Sequence, residues 1–137
     1  MKSITEILDF VKKEIDVKEV QPDSDIERDF GCYGDDFHEF IAKYSANFDV
    51  DMTTYLWYFH TGEEGMPGLG ALFFKPPNKR VTRIPVTPKM LLDFAQGKKW
   101  NISYPNHKIP EGRNDTLINQ IIVIVFLTVV ICFWLLK

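Results

Sequence analysis

From Ile4 to Ile15 the apolar residues Ile4, Ile7, Leu8, Val11 and Ile15 recur at helical spacing, and Ser3 with Glu6 forms a capping box. The pattern predicts a first helix. The stretch QPDSDIERDFGCYG is rich in acids and turn formers and reads as a loop. A second helix is expected to start at Asp35 or Asp36, with Glu39 completing a capping box on Asp36 and Phe37, Phe40, Ile41, Tyr44 and Phe48 as its buried stripe. Thr53 to His60 is aromatic and fits either a short helix or an extended piece. Beyond the turn EEGMPGLG, the runs Ala71 to Phe74 and Val81 to Val86 flank PPNKR and predict a short β-hairpin. Thr87 as N-cap, Pro88 at the first helical position, Leu91, Phe94 and Ala95 on one face and Gly97 at the end define a further helix.

The periodicity disappears at Leu117. From there to Leu136 the chain carries no charge, and as a helix it reaches about 30 Å, the thickness of a bilayer's hydrocarbon core. A helix apolar on nearly every side needs either lipid or a large protein around it, and the remaining residues form only a small domain. The expectation is one transmembrane helix over 117–136, a juxtamembrane linker over 101–116 and one domain over 1–100. Lys98, Lys99, Lys108 and Arg113 precede the span while Lys137 alone follows it, which predicts a single-pass, tail-anchored protein with its N-terminal domain in the cytoplasm. Charged residues are scattered through Met1 to Val20, so a secretory signal is not expected. The sequons at Asn101 and Asn114 read as incidental.

Charge sharpens the division. Met1 to Met66 carries 16 acidic against 6 basic residues, net −10, and Pro67 to Thr116 carries 3 acidic against 9 basic, net +6. Lys75, Lys79, Arg80 and Arg83, with Lys98 and Lys99, are therefore candidates to rest on anionic headgroups of the lipid bilayer, the alternative being a basic face that pairs with the acidic half inside the fold. So few basic residues in an acidic domain argue against nucleic acid. Cys32 lies in the domain and Cys132 in the span, which leaves no disulfide framework and fits a reducing compartment. No zinc spacing and no calcium loop is present, and no metal or cofactor is expected. His38 lacks a second histidine four residues on, and His60 beside Glu63 and Glu64 is an isolated cluster. No enzyme is expected from these residues. Tyr55, Trp57, Tyr58 and Phe59 read as core, with a ligand groove as the alternative.

A helix, an acidic loop ending in Asp29-Phe30-Gly31 and a second helix over Ile4 to Asp51 resemble an acyl carrier protein. The combination of DFGCYGDDFHEFI, NFDVD, the Tyr58-Phe59 pair near GEEG and TPKMLLDFAQGKKW resembles, over roughly Ile4 to Trp100, an uncharacterised family of small enterobacterial proteins with an acyl-carrier-like fold and a Gly-Asp-Asp signature. The resemblance implies a mainly α, acyl-carrier-like domain. Carriers attach 4′-phosphopantetheine to a serine at the start of helix two; the matching position here falls on Gly34 or Asp36, and neither has a hydroxyl. The resemblance, with that serine missing, implies a non-catalytic interaction protein of the bacterial inner membrane that presents Asp35, Asp36 and Glu39 to a protein partner. Asp36 also reads simply as the helix cap. The alternatives are an active carrier or accessory component of lipid or envelope metabolism, and a small subunit of a membrane complex acting through its transmembrane helix.

Overall fold

The computed structural model describes residues 2–64 and 68–136. Helix α1, Ile4–Ile15, starts on the predicted capping box: Ser3 Oγ accepts from the Glu6 N–H at 3.3 Å and Glu6 Oε2 from the Ser3 N–H at 2.8 Å. It ends on Asp16 in the left-handed region. Its inner face holds Ile7, Val11 and also Phe10, whose ring lies 5.6 Å from Phe40 and 5.2 Å from Phe48.

Helix α2, Ile26–Phe30, occupies part of the expected loop. Asp25 accepts from the Glu27 and Arg28 N–H groups, Asp29 Oδ2 accepts from the Asp25 N–H, and Gly31 ends the helix at φ 68°. A single buried residue, Ile26, fastens it, so no apolar period betrays it in the sequence. Helix α3, Gly34–Phe48, buries the whole predicted stripe of Phe37, Phe40, Ile41, Tyr44 and Phe48.

The predicted hairpin does not form. Residues 70–73 make a single helical turn, α4 (Gly70–Phe73), closed by the Phe74 N–H on the Gly70 carbonyl at 2.9 Å, and Pro77–Lys79 makes a 3-10 turn. Among the described residues there is no β-strand, and Asp51 pairs with Lys99 in an isolated bridge. The reason is local. Pro76, Pro77 and Pro85 have no N–H to give a ladder. The Ile84 N–H is taken by Phe59 O at 2.6 Å and the Val86 carbonyl by the Ile26 N–H at 3.0 Å, which ties 81–86 to other elements. Gly65, Met66 and Pro67 of the predicted turn lie outside the described residues.

Helix α5, Pro88–Gly97, has Thr87 as its cap, accepting from the Met90 N–H at 3.3 Å, and packs on α1 through Leu91, Phe94 and Ala95. Its left-handed terminal residue is Lys98, one beyond the expected Gly97. The Tyr44 hydroxyl donates to the Leu91 carbonyl and links α3 to α5. Thr53–His60 resolves into a 3-10 turn, Trp57–Phe59.

Helix α6, Asn114–Leu135, is 22 residues long and begins ahead of the expected span. It is long and apolar enough to cross a membrane, and its apolar run is exposed. The segment before it is docked on the domain. Tyr104 packs 4.8 Å from the Phe59 ring, and Arg113 grips both Glu63 oxygens at 2.6 and 3.0 Å and Asp115 at 2.7 Å.

Candidate functional site

Helix α3 starts without a cap of its own. Its N-cap residue Tyr33 makes no side-chain hydrogen bond, and the helix begins ahead of Asp35 and Asp36, so the expected Asp36–Glu39 capping box is not built. Two of its free N–H groups are satisfied from across the fold. Thr61 Oγ1 accepts from Gly34 at 2.9 Å, and Glu64 Oε1 accepts from Asp35 at 3.1 Å. A carboxylate thus sits at the positive end of the helix, where a phosphate would bind. Gly34 is at φ 58°, and a Cβ added there would overlap Glu64 Cγ. A side chain there would add backbone strain and would have to push Glu64 aside, which favours glycine.

Outside this plug, Asp35, Asp36 and Glu39 are all exposed. Lys43 is the basic residue of this face, and it is engaged, lying 2.8 Å from Glu39 and 3.1 Å from Glu14. The hydrogen bond from Lys43 holds the Glu39 carboxyl below its usual range. Beside these acids a cavity of about 280 Å³ is lined by Glu14, Cys32, Asp36, Glu39 and Lys43. Burial, with Asp36 and Glu27 nearby, pushes the Cys32 thiol up to about 11, so it is a protonated wall group and not a nucleophile.

The basic candidates divide. Lys75, Lys79 and Arg80 are exposed around the Pro76-Pro77 turn, where Arg80 Nε donates to Lys75 O at 2.7 Å. Arg83 is turned inward onto α2 and pairs with Asp25 and with Glu27 at 3.3 Å. Burial alone would raise Asp25, but the hydrogen bonds from Arg83 and the Arg28 N–H outweigh it and hold the carboxyl below its ordinary range. Burial prevails at Glu27, which is raised. Arg83 thus pairs with the acidic half inside the fold, whereas Lys75, Lys79 and Arg80 are exposed.

Chain distance misleads about the acidic face. Glu64 caps α3 while its neighbour Glu63 holds Arg113, the residue before α6, so the start of α3 lies on the α6 side of the domain. The capping role of Thr61 and Glu64 and the packing of His60 are not visible in the sequence, since each joins residues far apart in the chain. Among the described residues, no three His, Cys, Asp or Glu side chains are grouped to hold a metal ion.

A family model described as "Protein of unknown function (DUF1493)" matches residues 1–103. No curated protein and no solved structure matches the chain.

Proposed function

We propose that this chain, which belongs to the DUF1493 family, is a membrane-anchored, non-catalytic interaction protein with an acyl-carrier-like domain that carries no prosthetic group. In this reading α6 crosses the bacterial inner membrane once, and the domain lies on the cytoplasmic side, where the basic residues before the span favour it. The exposed Asp35, Asp36 and Glu39 form the docking face for a protein partner.

The observation that carries this reading is the Glu64 carboxylate on the Asp35 N–H. It occupies a helix N-terminus of the kind at which a carrier's phosphodiester can sit, and neither residue that matches the carrier serine, Gly34 or Asp36, has a hydroxyl. What the site retains is a set of outward carboxylates. These suit recognition of a basic partner surface, where charge sets encounter rate and register. Because the start of α3 lies toward α6, the partner is expected close to the membrane.

The test is a photocrosslinking residue at Ala42, on the exposed side of α3, in the full chain within native membranes. A discrete adduct is expected, lost in the D35K/D36K variant and absent when the crosslinker is placed at Lys18. An adduct insensitive to the charge reversal would overturn the assignment of the docking face.

A further inference from the structure

The turn α4 presents apolar side chains to the outside at a particular place. Leu69, Leu72 and Phe73 are 57%, 77% and 73% exposed, the most exposed large apolar residues among the described residues ahead of α6, while the core gathers around α1, α3 and α5. The turn is held against the first turns of α6: the Gly70 N–H donates to Asn119 Oδ1 at 2.7 Å. A Cβ on Gly70 would overlap the Asp115 carbonyl oxygen, so the two backbones touch directly. Asp115 and Asn119 bracket the point where α6 changes from charged to uncharged sequence. For a membrane-spanning helix this is the boundary between headgroups and acyl chains.

We infer that Leu69, Leu72 and Phe73 enter the acyl-chain boundary of the bilayer beside α6, forming a second membrane contact that fixes the domain's orientation. The occupant follows from position and charge. The turn is continuous with the span and cannot move to another depth without breaking the Gly70–Asn119 hydrogen bond. Lys75, Lys79 and Arg80 follow it immediately and are exposed, which places cations at the level of anionic headgroups. An apolar group one layer below a basic one is the pattern of interfacial membrane elements. The Arg113 contacts with Glu63 and Asp115 brace the same junction. Asn119, a polar residue near the top of α6, thus has a partner within the chain.

This inference rests on reading α6 as a membrane span, and the experiment separates the two. In the full chain with Cys32 and Cys132 replaced by alanine, single cysteines at Leu72, Lys18 or Val125 carry a bimane fluorophore. The protein is reconstituted in vesicles of phosphatidylcholine and phosphatidylglycerol. The Leu72 probe is expected to be quenched by lipid bearing a shallow doxyl group and to be shielded several-fold from aqueous iodide relative to the Lys18 probe. The Val125 probe is expected to respond to a deep doxyl group. Iodide access at Leu72 equal to that at Lys18, with Val125 still in lipid, would overturn the inference alone. Iodide access at Val125 would overturn the span and the inference together. Leu72 is exposed, so its replacement leaves the domain core intact.

Discussion

The Tyr104 hydroxyl donates its proton to His60 Nε2, and the direction is fixed by its other partners. The hydroxyl already accepts from the Leu56 N–H at 3.2 Å and from Trp100 Nε1–H at 2.9 Å, which uses both of its lone pairs. At 2.8 Å from His60 Nε2 it has only a proton left to give. His60 must then carry its own proton on Nδ1, where it donates to the Ile84 carbonyl at 3.0 Å. Tyr55 stacks on the imidazole at 5.5 Å and Trp100 meets it edge-on at 5.3 Å. A neutral histidine is thereby locked in the core.

Acid should therefore loosen the domain in a defined window. Burial is the main cause that lowers His60, with nearby Arg83 adding to it, to about 4 from an ordinary 6.5. The unfolded chain binds the proton first, so stability is fully present above pH 6.5 and is lost as pH falls from 6.5 toward 4. A shift of this size corresponds to about 3 kcal/mol. Denaturant unfolding of the protein in detergent, followed by Trp fluorescence at pH 7, 5.5 and 4.5, should show a midpoint that falls steadily. A flat midpoint across this range would remove the neutral-histidine lock.

Tyr104→Phe tests the same network from the other side. It leaves the Leu56 N–H, Trp100 Nε1–H and His60 Nε2 without their shared partner, at a cost of roughly 2–4 kcal/mol. Burial, the main cause of the lowered His60 value, persists in the variant, so it should be less stable at pH 7 and still lose stability toward acid. A chain cut after Trp100 loses the hydroxyl together with the ring that packs on Phe59 and should be destabilised at least as much, whereas one cut after Lys108 keeps both. Unfolding curves of these proteins at pH 7 check the order, and a Tyr104→Phe midpoint equal to the parent's would show that the hydroxyl does not hold the network.

Helices α1, α3 and α5 are legible in the sequence because each carries its apolar stripe, and α1 and α5 also carry their caps, within a dozen or so neighbouring residues. The start of α3 is not, because its caps, Thr61 and Glu64, come from the far side of a turn, with nothing in the local spacing to announce them. The β-branched and aromatic content at 71–74 and 81–86 points to a hairpin. That content is real, but Ile84 and Val86 give their backbone groups to Phe59 and Ile26, and β preference without a partner strand does not make a sheet. Arg83 belongs by chain position to the basic half, yet its charge is used within the fold by Asp25 and Glu27.

That pairing separates two kinds of basic residue. Arg83→Gln leaves the half-buried Asp25 and Glu27 side by side without their counter-charge and should cost about 2 kcal/mol or more of stability. Lys79→Gln, at an exposed position, should stay within about 0.5 kcal/mol of the parent. Thermal unfolding of both variants in the same detergent checks the contrast, and equal effects would mean that the Arg83 cluster does not hold α2.

Two glycines should respond in opposite senses to alanine. At Gly70 the new Cβ meets the Asp115 carbonyl, so α4 must pull away from α6, and overpacking of this kind costs about 1–3 kcal/mol. Gly97 lies at the end of α5 with open space around its Cβ position. Gly97→Ala should stabilise by about 0.5–1 kcal/mol through helix preference. Amide exchange at Leu72 to Phe74 should accelerate in Gly70→Ala and remain unchanged in Gly97→Ala.

Covalent modification at the start of α3 should be absent. Incubation with a phosphopantetheinyl transferase and coenzyme A should leave the mass of the protein unchanged, since neither Gly34 nor Asp36 offers a hydroxyl. Restoring one should not suffice. In Gly34→Ser the serine must adopt φ 58°, which costs an L-residue about 1–2 kcal/mol, and its Cβ must displace Glu64, whose carboxylate then opposes an incoming phosphate. Removing that acid as well, in Gly34→Ser/Glu64→Ala, clears the overlap and uncovers the Asp35 N–H, so this double variant is the one expected to accept any phosphopantetheine at all. Intact-mass measurement of all three proteins decides between the possibilities. Stoichiometric modification of the parent chain would identify an active carrier using another residue, and modification of Gly34→Ser alone would show that Glu64 does not close the site.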